Sequence, residues 1–186
     1  MSIISFNAIW MTLNICLAFI AVVCGWLTLK LSAKPLKIFF LFAWLLFIPN
    51  TIYMVTDILH FQGQFAVVLG IDKVILILEY FVLVLLGPIT FVLAMYPIEQ
   101  AARKHHKKLR DKTTITTTLI VINFIIAFGV VIGRVQRTNS WEVFTNTQKV
   151  IQDSIHTITS KELLLLVIFF GLVNNIVYFS FRKLVK

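Results

Sequence analysis

The chain has 186 residues, 59% of them hydrophobic, with a formal net charge of +9 and a mean hydropathy of +0.93. A soluble domain of that composition would lack the polar residues needed to cover its surface, so the sequence reads as an all-α polytopic membrane protein without room for a large soluble domain. The basic residues gather in short stretches between apolar runs, a pattern of topology signals that argues against a nucleic-acid partner.

In chain order, five spans are predicted within a single membrane domain covering residues 1–186: about 3–31, 36–61, 67–96, 113–133 and 162–184. MSIISFNAIW has no basic leader, and the first apolar run is far longer than a cleavable signal core, so no signal peptide is expected. Cys16 and Cys24 stand eight apart in the first span, ~12 Å along one helix, too far for a disulfide; they read as packing residues. No zinc spacing is present, and no metal is assigned. Pro49 interrupts the second span and predicts a kink there; Pro88 lies in the third. Residues 141–159 are too polar to span, but Val143, Val150, Ile151, Ile155 and Ile158 are roughly helix-spaced, which predicts a short amphipathic helix on the membrane surface. Asn174 and Asn175 in the last span are expected to bond between helices, with Tyr178, Phe179 and Phe181 marking the membrane interface beyond them.

Charge predicts the orientation. Lys30, Lys34 and Lys37, the group Arg103, Lys104, Lys107, Lys108, Arg110 and Lys112, and the tail Arg182, Lys183 and Lys186 make up 12 of the 17 basic residues. The positive-inside rule then puts these stretches in the cytoplasm, the N-terminus outside and the C-terminus inside. His105 and His106 read as part of a solvated basic loop near anionic headgroups. With that orientation the polar ends of the second, third and fourth spans converge on the extracytoplasmic half.

The polar residues of the second span are the strongest functional signal. In FAWLLFIPNTIYMVTDILHF, residues Asn50, Tyr53, Asp57 and His60 are spaced to fall on one helical face. Ionisable groups in a span are costly without a partner or water, which marks a candidate site. Asp57 and His60 can serve acid–base chemistry, supply two metal ligands or relay protons; the plainer alternative is an ion pair near the end of the span. Asp72 and Glu79 share a face of the third span, and a neutral, hydrogen-bonding Glu79 is the structural alternative there. The sequence GRVQRTNSWE, residues 133–142, brings Arg134 and Arg137 together with Asn139, Ser140, Trp141 and Glu142. Arginine forks hold carboxylates or phosphates and Trp suits headgroup depth; alternatively, an arginine neutralises Asp57, Asp72 or Glu79 and ties the spans together.

These two segments, Trp44-x-x-Phe47-x-Pro49-Asn50-x-x-Tyr53-x-x-Thr56-Asp57-x-x-His60 and Gly133-Arg134-x-x-Arg137-x-Asn139-Ser140-Trp141-Glu142, resemble the bacterial integral membrane family called domain of unknown function 1361. In the pattern it is similar to, an aromatic residue usually precedes Asn-Ser-Trp and an aspartate follows; Thr138 and Glu142 stand at those positions here. The resemblance implies a protein of several helices in a bacterial cytoplasmic membrane and no established activity.

The expected site therefore has Asp57, His60 and Glu142 in catalytic roles and Asn50, Tyr53, Asp72, Arg134, Arg137, Asn139 and Trp141 binding the substrate, an anionic lipid or lipid-linked phosphate. Membrane lipids are the expected partners, with another membrane protein as a further candidate; no motif names a cofactor, and nucleotide-binding and hydrolase fingerprints are missing. Two alternatives use the same residues: a non-catalytic subunit or assembly partner of a larger membrane complex, and a small proton-coupled carrier, for which five spans and the lack of an internal inverted repeat are unfavourable.

Overall fold

The computed structural model describes residues 2–105 and 112–185. The expected basic loop with His106, Lys107, Lys108 and Arg110 lies outside the described residues, as does the side chain of His105.

Helix α1 (Ile3–Lys30) starts where Ser2 accepts a hydrogen bond from the Ser5 amide, and ends as Leu31 turns extended. Helix α2 (Lys34–Phe47) begins with Pro35 in its first turn, where the missing N–H has no consequence. The chain then breaks at Ile48 and resumes as α3 (Pro49–Thr56). Pro49 has no N–H to offer the preceding turn, and side chains join in around the break: Asn50 donates to Phe47 O at 2.9 Å, and Ile48 O accepts both the Thr51 amide at 3.1 Å and the Thr51 hydroxyl at 2.7 Å. A tight 3-10 turn, Asp57–His60, leads into α4 (Phe61–Val67). Together these pieces form one membrane-crossing stretch, Lys34–Val67.

This path runs further than the predicted end at residue 61, and the next helix, α5 (Asp72–His105), starts later than the predicted 67. The polar run Gln62, Gly63, Gln64 looks like a loop in sequence, but Gln64 is held by Asn7 and Tyr80, so the helix continues through it. The reversal comes instead at Gly70, whose φ of +60° favours glycine. Helix α6 (Lys112–Val135) and helix α9 (Lys161–Phe181) match the fourth and fifth predicted spans closely. The predicted surface helix is divided by Asn146 into α7 (Glu142–Thr145) and α8 (Thr147–Thr159), with the Asn146 side chain capping the second piece at the Lys149 amide.

Five stretches are long and apolar enough to cross a membrane, and the described residues form no strand. The protein is an all-α polytopic membrane protein. α1 lies along α2 and α5, α3 sits among α1, α5 and α6, and α9 packs on α6. The shared core contains Trp44, Ile48, Ile52, Phe91, Met95, Ile126 and Val130. The outer faces carry large apolar side chains such as Phe39, Phe81, Phe169 and Ile176, each more than half exposed, a surface suited to hydrocarbon and not to water.

Close approach is set by small residues and polar locks. A Cβ on Gly25 would come within 2.8 Å of Ala94 O, while the Trp44 indole donates to the same carbonyl at 2.9 Å, so α1, α2 and α5 meet there. Between α6 and α9, Asn123 donates to Asn175 at 2.9 Å and Asn174 to Asn123 O at 3.2 Å, the inter-helix bonding expected for the asparagine pair. Tyr178, expected at the membrane interface, is instead fully buried and donates to Glu99. Glu99 is itself fully buried, one turn from Arg103 at 2.6 Å and 3.5 Å from Arg182. That node joins α5 to the end of α9.

Removing one member of a buried ionic node leaves the others uncompensated, at a cost of about 3 kcal/mol. Glu99→Leu should therefore lower the apparent melting temperature in detergent markedly, whereas Lys104→Ala, one residue from Arg103 and exposed, should leave it within error. Equal melting of the two variants would show that the node does not hold the bundle.

Candidate functional site

The site lies at the end of the bundle that carries the α1 N-terminus. Three segments meet there: the first half of α1, the stretch from α3 to the 3-10 turn, and the end of α6 with the loop after it. They enclose a cavity of about 560 Å³. Its polar wall includes Asn14, Asn50, His60, Arg134, Arg137 and Asn139, and its apolar wall includes Trp10, Leu13, Leu17 and Leu59.

Arg134, in the last turn of α6, organises the interior side. Its Nη1 lies 2.6 Å from Asp57 Oδ1, and its Nη2 donates to Thr56 O at 3.2 Å. The second Asp57 oxygen accepts from Asn14 Nδ2 at 3.0 Å. Asp57 is only 2% exposed, so its charge is met by protein groups on both oxygens. The sequence allowed Arg134 or Arg137 to neutralise Asp57, Asp72 or Glu79; the pair that forms is Arg134 with Asp57.

Arg134 Nη2 also stands 3.1 Å from His60 Nε2. A guanidinium can only donate, so Nε2 is the acceptor and the imidazole proton sits on Nδ1 in this arrangement. Arg134 thus comes between Asp57 and His60. Asp57 does not orient His60 as the general-base reading required; both turn to the same arginine. Among the described residues, no three His, Cys, Asp or Glu side chains gather as a metal-binding group.

Tyr53 donates to Gly129 O at 3.1 Å, and its ring lies against Gly133, where a Cβ would fall 1.6 Å from the hydroxyl. Glycine at 133 is therefore what lets α3 and α6 close over the cavity floor.

The outer wall is the loop after α6. Arg137 has a φ of 56°, a left-handed conformation uncommon for a residue with a Cβ. Its neighbours hold it there. Lys149 donates to Arg137 O at 3.3 Å and pairs with Glu142 at 2.9 Å. Glu142 also accepts from the Asn139 amide, Thr138 donates to Asp153, and Ser140 donates to Leu46 O at 2.7 Å. The Lys149 ammonium holds the Glu142 carboxyl below its ordinary range, with the Asn139 amide adding to the effect. The support this pair lends the loop is present at neutral pH and is lost as the pH falls below that range.

Of the expected site residues, the structure brings Asn50, Tyr53, His60, Arg134, Arg137, Asn139 and Trp141 to the cavity, with Asp57 behind Arg134. Glu142 braces the loop and does not line the cavity. Asp72 is exposed at the start of α5 and is not brought to the cavity. Sequence reasoning predicted α1 as the first span but missed its part in the site. Asn7, Trp10 and Asn14 share one face of an otherwise apolar helix; that periodicity was the available signal.

A double-mutant cycle tests the central pair. Asp57→Asn and Arg134→Met should each lower stability in detergent by about 3 kcal/mol, and the double variant should lose clearly less than the sum. Strict additivity would mean that the pair carries no coupling.

No curated protein and no solved structure matches the chain. The family model described as "Protein of unknown function (DUF1361)" matches residues 13–177, which takes in most of the chain, including residues 44–60 and 133–142 on two of the three segments that build the cavity. The protein is an integral membrane protein that belongs to this family.

Proposed function

We propose that the cavity binds an anionic amphiphile, a lipid headgroup or a lipid-linked phosphate, at the extracytoplasmic side of the membrane. The observation that carries this reading is Arg137. Its guanidinium lines the cavity and, among the described residues, pairs with no carboxylate, while its backbone is kept in a strained conformation by Lys149. Strain of that kind, of order 1–3 kcal/mol, persists where surrounding contacts over-determine it, often at ligand sites. Arg134, though matched by Asp57, adds a second guanidinium to the wall, and Asn139 and Ser140 add neutral polar groups. The leucines and Trp10 supply the apolar side that a free inorganic anion would not need.

The geometry supports binding ahead of catalysis, because His60 Nε2 already accepts from Arg134. The closed Asn14–Asp57–Arg134 set supports a second reading, in which the same end presents a rigid surface to a partner membrane protein. The extracytoplasmic placement rests on the distribution of basic residues, with the cavity at the end opposite most of them.

Native mass spectrometry of the purified protein should show retention of phosphatidylglycerol over phosphatidylcholine. Losing the charge-assisted contact in Arg137→Ala should weaken it about 10-fold or more, with Arg137→Lys intermediate. Equal retention of the two lipids by the native chain would overturn the reading. The orientation is checked separately: in intact cells an impermeant maleimide should label a cysteine placed at exposed Gln148 but not one at exposed Ser32. The reverse pattern would place the cavity in the cytoplasm.

A further inference from the structure

The cavity leaves one membrane-embedded carboxyl unexplained. Glu79 lies two turns into α5, about 10 Å along the helix from Asp72. It opens on a groove of about 320 Å³ between α1 and α5, whose walls include Met11, Ile15, Ile75, Leu78 and Val82. Leu78 and Val82 are 57% and 45% exposed, so this face of α5 is turned to hydrocarbon.

Glu79 is held from one side. Asn7, fully buried, donates to its Oε2 at 3.3 Å. The same Asn7 is locked to Gln64 in a reciprocal amide pair at 2.7 and 3.0 Å. Trp10 donates to Asn7 Oδ1 at 3.0 Å and Tyr80 donates to Gln64 Oε1 at 3.1 Å. Every acceptor in this set is occupied, and the set offers Glu79 one amide hydrogen and no cation. The Asp57 carboxylate, by contrast, meets a guanidinium on one oxygen and an amide on the other.

The remaining polar group in the groove, the Thr12 hydroxyl, donates to Ala8 O at 2.6 Å, so a metal cation would find too few oxygens there. A proton needs only one. α1 and α4 bring no titratable group to the groove. On α5 the neighbours are Tyr80, turned to Gln64, and Asp72 with Lys73 at the helix start, the Lys73 ammonium lying over the Phe65 ring. Asp57 and Arg134 stand beyond Gln64 as a matched pair.

From this geometry we propose that Glu79 is a proton-binding site open to the hydrocarbon, its Oε1 taking the proton on the groove side while Asn7 holds Oε2. The site is separate from the cavity reading and does not depend on it.

The test uses the intact native protein in lipid nanodiscs, treated with the apolar reagent dicyclohexylcarbodiimide, which attacks protonated carboxyls in an apolar setting. Peptide mass spectrometry should find the adduct on Glu79 and not on Asp57. Labelling should fall about tenfold for each pH unit above its midpoint, and a water-soluble carbodiimide should leave Glu79 untouched. Glu79→Gln should abolish the adduct. An unlabelled Glu79, labelling that persists unchanged into alkaline buffer, or equal reaction with the water-soluble reagent would each overturn the proposal.

Discussion

Asp57 is a carboxylate buried among membrane helices, and its charge is tolerable only because Arg134 and Asn14 reach it from two other spans. Taking a carboxylate out of water costs several kcal/mol even after relaxation, so such a group binds its partners together or does not stay charged. The consequence is geometric. α1, the turn after α3 and the end of α6 are drawn to one point, and Arg134 passes the constraint on to Thr56 O and His60. The cavity is the space left in front of this junction, and its shape depends on all three contacts holding.

The same rule, that hydrocarbon supplies no hydrogen bonds, governs the rest of the bundle. The proline break at 49 is affordable because Asn50 and Thr51 stand beside it to meet the loosened carbonyls. Glu99 is tolerated because Arg103, Arg182 and Tyr178 surround it. Asn123, Asn174 and Asn175 bond to one another and to backbone. Polar residues in this chain are therefore the fasteners between helices, and the apolar majority fills the space and faces the membrane. Two charged groups at the cavity and the groove depart from this economy among the described residues: Arg137, which faces the cavity without a carboxylate partner, and Glu79, which faces hydrocarbon with a single amide for company.

That contrast gives the functional readings their weight. Asp57, which fastens helices, has a partner on each carboxylate oxygen. Arg137 is unmatched although its backbone is bound firmly by Lys149, Glu142 and the loop around them. The protein fixes the backbone at Arg137 and leaves its charge facing the cavity. The apolar wall opposite, formed largely by α1, suits a ligand that is charged at one end and greasy at the other.

Much of this architecture was legible in the chain itself. Apolar runs long enough to span a bilayer, interrupted by basic clusters, dictate five crossing helices, because hydrocarbon admits no other backbone arrangement for such segments. The proline-centred break and the polar face of the second span follow from local chemistry and helical period, and two of the three segments of the cavity wall could be read from residue types and spacing. What the chain could not announce was pairing across space. Whether Arg134 or Arg137 would meet Asp57, that Glu142 would brace a loop, that Asp72 would stay outside, and that Asn14, Asn7 and Gln64 would join in were settled only when α1 packed against α3, α5 and α6. The physical reason is that a polar side chain in a membrane takes whichever partner the packing brings within about 3 Å, and sequence distance carries almost no information about that.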